Sequence, residues 1–260
     1  MNLPGKRSGY RRILYALLPL AGPICFVCIW WAVTHLLAGS TPMAAYFAPE
    51  KTWQAALRLL GNGVLAGHTL DSLRRVFAGL GLALLFGIPT GLLLGNSRLF
   101  ERSANLFFQL LRMVSPLSWM PLAIIVLGIG DAPVYFLLGF AGVWPIILNV
   151  AAGVAALDLK WLKLAKSMAA TKAEILFHIV FPGIMDHILT GIRLSIGIIW
   201  IVLVPAEMLG VQAGLGYFIL DSRDRMEYGD LVATILYIGI LGAAIDYAAR
   251  RLRSKWLRYA

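Results

Sequence analysis

Two ionisable residues, Arg193 in "TGIRLSIG" and Glu207 in "LVPAEMLG", lie inside one long apolar run. A charge in such a run faces a bundle interior or a watery cavity, and is a functional candidate by default. The two are about 21 Å apart along a helix, so neither can pair with the other and each requires a partner on another segment. For Glu207, near the end of its run, such a partner would make it a structural latch. A second polar group surrounds two prolines in "LLRMVSPLSWMPLAIIVLGIG": Arg112 one turn before Pro116, then Ser115, Ser118 and Trp119, with Pro121 beyond. A twice-interrupted membrane helix frees carbonyls that protein or cavity water must satisfy, which favours a segment lining a path. The alternative is a kinked packing helix with Arg112 snorkelling to the interface.

A third group lies in "DLKWLKLAKSMAATKAEILFHIVFPG". Lys160, Lys163 and Lys166 recur every three residues, while Trp161, Leu164, Ala165 and Met168 follow the spacing of an amphipathic helix. Thr171 and Glu174 form a capping box around Lys172, ahead of "ILFHIVF", and Pro182 ends that second helix. Residues 158–182 therefore read as a helix, turn, helix hairpin with its turn near Ala169 and Ala170. An amphipathic hairpin of this kind lies flat in lipid headgroups or docks on a soluble partner, and the lysine spacing fits either.

Other chemistry finds little support. Cys25 and Cys28 have CxxC spacing but no second ligand pair, and read as small core residues. His35, His68, His178 and His187 are scattered, and neither HExxH nor GxSxG occurs, so an intramembrane enzyme is disfavoured. The nearest approach to a P-loop, "NGVLAGHT", has Asn62 for its first glycine and His68 for its lysine.

The elements that must position these groups are membrane helices. The 260 residues are 60% hydrophobic and 14% charged, with mean hydropathy +0.79, which leaves almost nothing for a soluble domain. Six apolar runs are long enough to cross a bilayer: 13–38, 70–95, 104–127, 133–156, 184–209 and 231–250. The expected fold is an all-α integral membrane protein, a single permease-like domain over 1–260. Most of the 23 lysines and arginines cluster at the two termini and in the loops after the second and fourth runs. By the positive-inside rule both termini and the hairpin are cytoplasmic, and the net charge of +10 reports topology rather than nucleic-acid binding. In the second run Gly79, Ala83, Gly87, Gly91 and Gly95, four residues apart, make a groove into which another helix can pack closely. Pro89 in the same run is expected to bend it.

The hairpin resembles the EAA loop of ABC importer permeases, with Ala165, Ile179 and Pro182 on the motif's positions. Lys163, Leu164, Ala169 and Phe181 replace its glutamate, first alanine, glycine and leucine. "SLRRVFAGLGLALLFGIPTGLLLG", "SPLSWMPLAIIVLGIG", "VWPIILN", "GIRLSIGIIW", "AEMLG" and "GLGYFI" are similar in order and spacing to the nitrate, sulfonate, taurine and bicarbonate group of these permeases, over about residues 53 to 252. "SPLSW" followed by "WPIILN" leans towards the nitrate and bicarbonate branch.

The resemblance implies a type I ABC importer fold in a bacterial inner membrane, with six transmembrane helices and the hairpin as the coupling element. It implies a second permease chain, identical or homologous, two ATPase subunits and a periplasmic or lipid-tethered binding protein. This chain would bind no cofactor, ATP and magnesium belonging to the ATPase subunits. Lys163, Leu164, Ala165, Met168, Ala169, Ala170, Lys172 and Pro182 would contact the ATPase, and the path would be lined by Arg112, Ser115, Ser118, Trp119 and Arg193. A secondary transporter or channel working without an ATPase is the alternative.

Overall fold

The computed structural model describes residues 7–39 and 42–256, those of 7–20, 38, 42, 98–102, 104–105, 252 and 254–256 by backbone alone. Among them every regular element is helical. In chain order these are α1 (Arg7–Ala38), a 3-10 turn (Pro42–Phe47), α2 (Pro49–Gly61), α3 (Val64–Asn96), α4 (Arg98–Met113), a 3-10 turn (Pro116–Trp119), α5 (Met120–Leu127) and α6 (Asp131–Ala156). The hairpin follows as α7 (Leu159–Ser167), α8 (Lys172–Ile175), a π-helical turn (Leu176–Val180) and α9 (Phe181–Gly183), and then α10 (Met185–Gly210), α11 (Leu215–Asp224) and α12 (Tyr228–Trp256).

The glycine groove of the second run is where the core begins. α3 and α6 run parallel in contact, with Gly79 opposite Leu138, Gly87 opposite Ile146, Gly91 opposite Val150 and Gly95 opposite Val154. A Cβ placed on Gly91 would lie 2.7 Å from the Val150 Cβ and 2.9 Å from the Ile147 carbonyl oxygen, so only the absence of side chains permits this approach. α10 packs antiparallel against the same α6, its Gly191 on Ile146 and its Ser195 hydroxyl donating to the Gly142 carbonyl at 2.8 Å. Leu137, Leu138, Ile146, Ile199 and Leu203 are fully buried between these three helices. α12 adds to α10 at Gly242, which faces the Trp200 indole. α3 continues unbroken through Pro89, and α10 through Pro205.

α3, α6, α10 and the first part of α12 are each long and apolar enough to cross a membrane. The first expected span lies within α1, whose described apolar part is Ala21–Leu37. On that helix Cys25 and Cys28 are exposed, which corrects their reading as core residues: α1 meets the 3-10 turn and α2 rather than the α3/α6/α10 core. Of the basic residues at the two termini, Lys6 and Arg258 lie outside the described residues.

The run 104–127, expected to be interrupted at both prolines, is broken once, into two pieces bent by 87°. Pro116 disfavours helical angles at the preceding residue, and Ser115 accordingly sits at φ −59°, ψ 129°, ending α4. Pro121 has the opposite role. It occupies the first turn of α5, where its missing N–H costs nothing, and so opens a helix instead of breaking one. Because α3 and α6 are parallel, residues 97–130 must carry the chain back across the depth of the bundle, and the bent pair does so.

Candidate functional site

The hairpin joins the end of α6 to the start of α10. Asp158 caps α7 by accepting the Lys160 N–H at 2.9 Å, and Thr171 and Glu174 form the reciprocal box ahead of α8. The Thr171 N–H and hydroxyl reach Glu174 at 2.7 and 2.8 Å and hold its carboxyl below the ordinary glutamate pKa. Between the arms Ala169 has φ 57°, in the left-handed region. Its N–H donates to the Lys166 carbonyl and that of Ala170 to the Ala165 carbonyl, a Schellman turn whose usual residue is glycine. Alanine here carries a strain of about 1 kcal/mol.

Pro182 does not end the second arm, as the sequence had suggested. The helix widens to π geometry over Leu176–Val180 and continues to Gly183, leaving only Ile184 before α10. Pro182 cannot donate to the His178 carbonyl and its ring crowds that oxygen, so the preceding turn opens. Trp161, Leu164 and Met168 are 61%, 51% and 76% exposed, and Lys163, Ala169, Lys172 and Pro182 are exposed too, with Ala170 half-buried. Ala165 differs: it is buried within the hairpin and offers no surface to a partner.

Arg112, at the C-terminal end of α4, borders two adjoining cavities of about 420 and 430 Å³, one between α3, α4 and α6 and one between the bend, α6 and α10. Trp144 and Leu148 separate them; Phe108 and Gln109 line the first, and Asn149 and Leu194 the second. No carboxylate borders either among the described residues. Ser115 and Ser118 are exposed at the bend and lie outside both walls. Trp119 packs on Phe140 at 5.7 Å, its indole N–H buried without a partner. Arg193 is half-buried and bonded to Asp246 of α12 at 3.1 Å; the same carboxylate pairs with Arg250 at 2.8 Å, so the pair links α10 to α12 while the cluster keeps one net positive charge.

At the far end from the hairpin Glu207 is fully buried. One oxygen accepts from the Arg75 Nη1 at 2.7 Å, the other from the Gly216 N–H at 2.8 Å, and the Ser72 hydroxyl lies 2.8 and 3.0 Å from the two. Arg75 also donates through Nε to Asp131 at 2.8 Å and through Nη1 to the Ala213 carbonyl at 2.7 Å. The Leu215 N–H donates to the Ser72 Oγ, and the Gly214 N–H to the His68 Nδ1. One carboxylate thereby ties α3, α10 and the start of α11 together, and Arg75 adds α6. Gly214, at φ 109°, passes so close that a Cβ would strike both Arg75 and Glu207. A buried charge with this many donors is stabilised, whereas one stripped of its partner is heavily destabilised.

The sequence reading left Ser72, Arg75, Asp131 and Asp246 unassigned. No local signal marks them, since each lies on a different helix from the residue it meets and only the packing of the helices brings them together.

Residues 83–258 match the family described as binding-protein-dependent transport system inner membrane component. The chain belongs to this permease family. The permease is 32% identical over 238 residues to the bicarbonate transport system permease protein CmpB of Synechococcus elongatus, covering 88% of this chain and 85% of the relative. It is 31% identical over 175 residues to the nitrate import permease protein NrtB of a Synechocystis species, covering 67% and 64%. In fold the permease is similar to a chain of the inward-facing MetNI methionine ABC transporter, with a TM-score of 0.60 at 15% identity over 73% of this chain and 94% of that one.

Proposed function

We propose that this permease forms the membrane path of an ATP-driven importer for a small anion of the bicarbonate or nitrate class, with sulfonates such as taurine as the wider group. Solute is delivered by a separate binding protein at the Glu207 end. Two ATPase subunits dock on the hairpin at the other end, which faces the cytoplasm with both termini, and a second permease chain completes the path. The observation that carries the reading is the hairpin itself, a strained and doubly capped element that holds Trp161, Leu164 and Met168 out of the bundle. Apolar anchors at the centre of an interface dominate its energy.

Closure of the ATPase dimer would push on the hairpins, and α10, joined to the hairpin through the single residue Ile184, would convert that push into a change of access. Arg112 supplies positive potential beside the cavities, with Ser115 and Ser118 as donors at the bend and Trp119 packed behind them, a weak site through which an anion can pass without being trapped. Arg193 has a smaller part than its position in the sequence suggested, because it is held to α12 by Asp246, a carboxylate it shares with Arg250. Glu207, a structural latch, holds the far end closed.

The test is reconstitution with the ATPase subunit and binding protein. ATP hydrolysis that is sensitive to vanadate and stimulated by the binding protein loaded with bicarbonate or nitrate is expected. Met168→Asp should abolish that stimulation while the protein still inserts. Gradient-driven flux by this chain alone would overturn the proposal.

A further inference from the structure

The charges of the hairpin are unbalanced in a way that its own fold does not relieve. Its two carboxylates keep their charge but are turned to neutral donors, Asp158 to the Lys160 N–H and Glu174 to the Thr171 N–H and hydroxyl, so neither pairs with a lysine and the lysines remain in excess. Its four lysines, Lys160, Lys163, Lys166 and Lys172, are all exposed, and none takes part in an ion pair among the described residues. Three of them flank the exposed apolar stripe of Trp161, Leu164 and Met168 along one helix. The Schellman turn and the capping box fix the orientation of the two arms, so Lys172 is presented on the same rigid unit.

Resting on the docking proposed above, we infer that the ATPase groove receiving this hairpin is an apolar slot rimmed by carboxylates that face these four lysines. An apolar slot alone would accept Met168 and leave four ammonium groups at the rim of a low-dielectric contact. Carboxylates opposite them remove that cost and exclude ATPase subunits whose rim is basic. Charges at an interface rim act mainly on the rate of encounter and its dependence on salt, while the apolar centre governs residence. The consequence is a division of labour: lysines select and steer, and Met168 with Trp161 and Leu164 holds.

The experiment uses the full-length permease in nanodiscs of phosphatidylcholine and the purified ATPase subunit of its complex, with association followed at about 50 and about 500 mM salt. For the wild type, association should slow by about tenfold or more across that range. With Lys160, Lys163, Lys166 and Lys172 all changed to glutamine, a set of exposed positions that should leave melting unaltered, the salt effect should shrink to about twofold with dissociation little changed. A salt-independent wild type, or a glutamine variant that keeps the full salt effect, would overturn the acidic rim while binding itself upholds the docking. Failure of the wild type to bind the ATPase would overturn the docking and the rim together. The rival for the lysines is anionic headgroups, tested with Ser167→Cys in a chain lacking Cys25 and Cys28. Loss of its labelling by an impermeant thiol reagent when phosphatidylglycerol is added without ATPase would overturn the inference; unchanged labelling supports it.

Discussion

Glu207→Gln isolates the charge of the buried latch with almost no change of shape. The carboxylate offers two acceptors, and the structure uses both, one for Arg75 at 2.7 Å and one for the Gly216 N–H at 2.8 Å. An amide offers one. Whichever way the substituted side chain turns, its NH2 group opposes either the guanidinium or the backbone amide, and a buried donor without an acceptor costs about 1–3 kcal/mol. Removing one partner of a buried ion pair costs about 3–5 kcal/mol, but Arg75 keeps Asp131 at 2.8 Å as a second, partly exposed carboxylate. We therefore expect a loss of about 3 kcal/mol, near the lower end of that range. The measurement is the unfolding free energy of the purified permease in a detergent titration, for Glu207→Gln, Arg75→Met and the double variant. Both groups belong to one network, so the double variant should lose less than the sum of the singles by about 1–3 kcal/mol. A Glu207→Gln protein within about 0.5 kcal/mol of wild type, or strict additivity, would refute the account of the latch.

Ala169→Gly removes the cost of a left-handed alanine and should stabilise the hairpin by up to about 1 kcal/mol, read as a higher melting temperature of the assembled complex. Gly91→Ala puts a methyl group against Val150 and the Ile147 carbonyl, prises α3 from α6 and should destabilise by about 1–3 kcal/mol in the same detergent titration. The Glu174 cap depends on pH with a definite sign. Its folded pKa is lowered by the Thr171 donors, so its contribution is fully present above the unfolded value of 4.5 and is lost as pH falls through the lower folded value. Hydrogen exchange at residues 171–175 should stay protected at about pH 5 and lose protection, relative to Glu174→Gln, only in more acidic solution.

Local rules were legible in the sequence. The four-residue spacing from Gly79 to Gly95 foretold a close helix contact, though not that α6 would fill it in parallel. Thr171 and Glu174 formed the capping box their spacing announced, because both halves of that device lie within one turn. The left-handed angle at Ala169 sits where the resembled motif has glycine. The failures were of geometry at longer range. A proline marks a break but not its angle, so the 87° bend after Met113 was invisible, and Pro121 was misread because a proline in a first helical turn looks the same in sequence as one that interrupts. The partners of Arg193 and Glu207 lay 53 and 132 residues away in sequence, and only the packing of spans selects Asp246 and Arg75 from the other charges.

The placement of the two ion pairs on α10 sets a mechanical ratio. Met185, Arg193 and Glu207 divide this unbroken helix into arms of about 12 and 21 Å. If α10 rocks as a rod about the Arg193 to Asp246 pair, a displacement of about 2 Å at the hairpin becomes about 3.5 Å at Glu207. Hydrogen bonds of 2.7 and 2.8 Å do not survive such a stroke. The latch would then have no intermediate setting: a push too small to part Glu207 from Arg75 leaves the far end shut, and one large enough opens it, so the lever acts as a threshold on the force arriving from below.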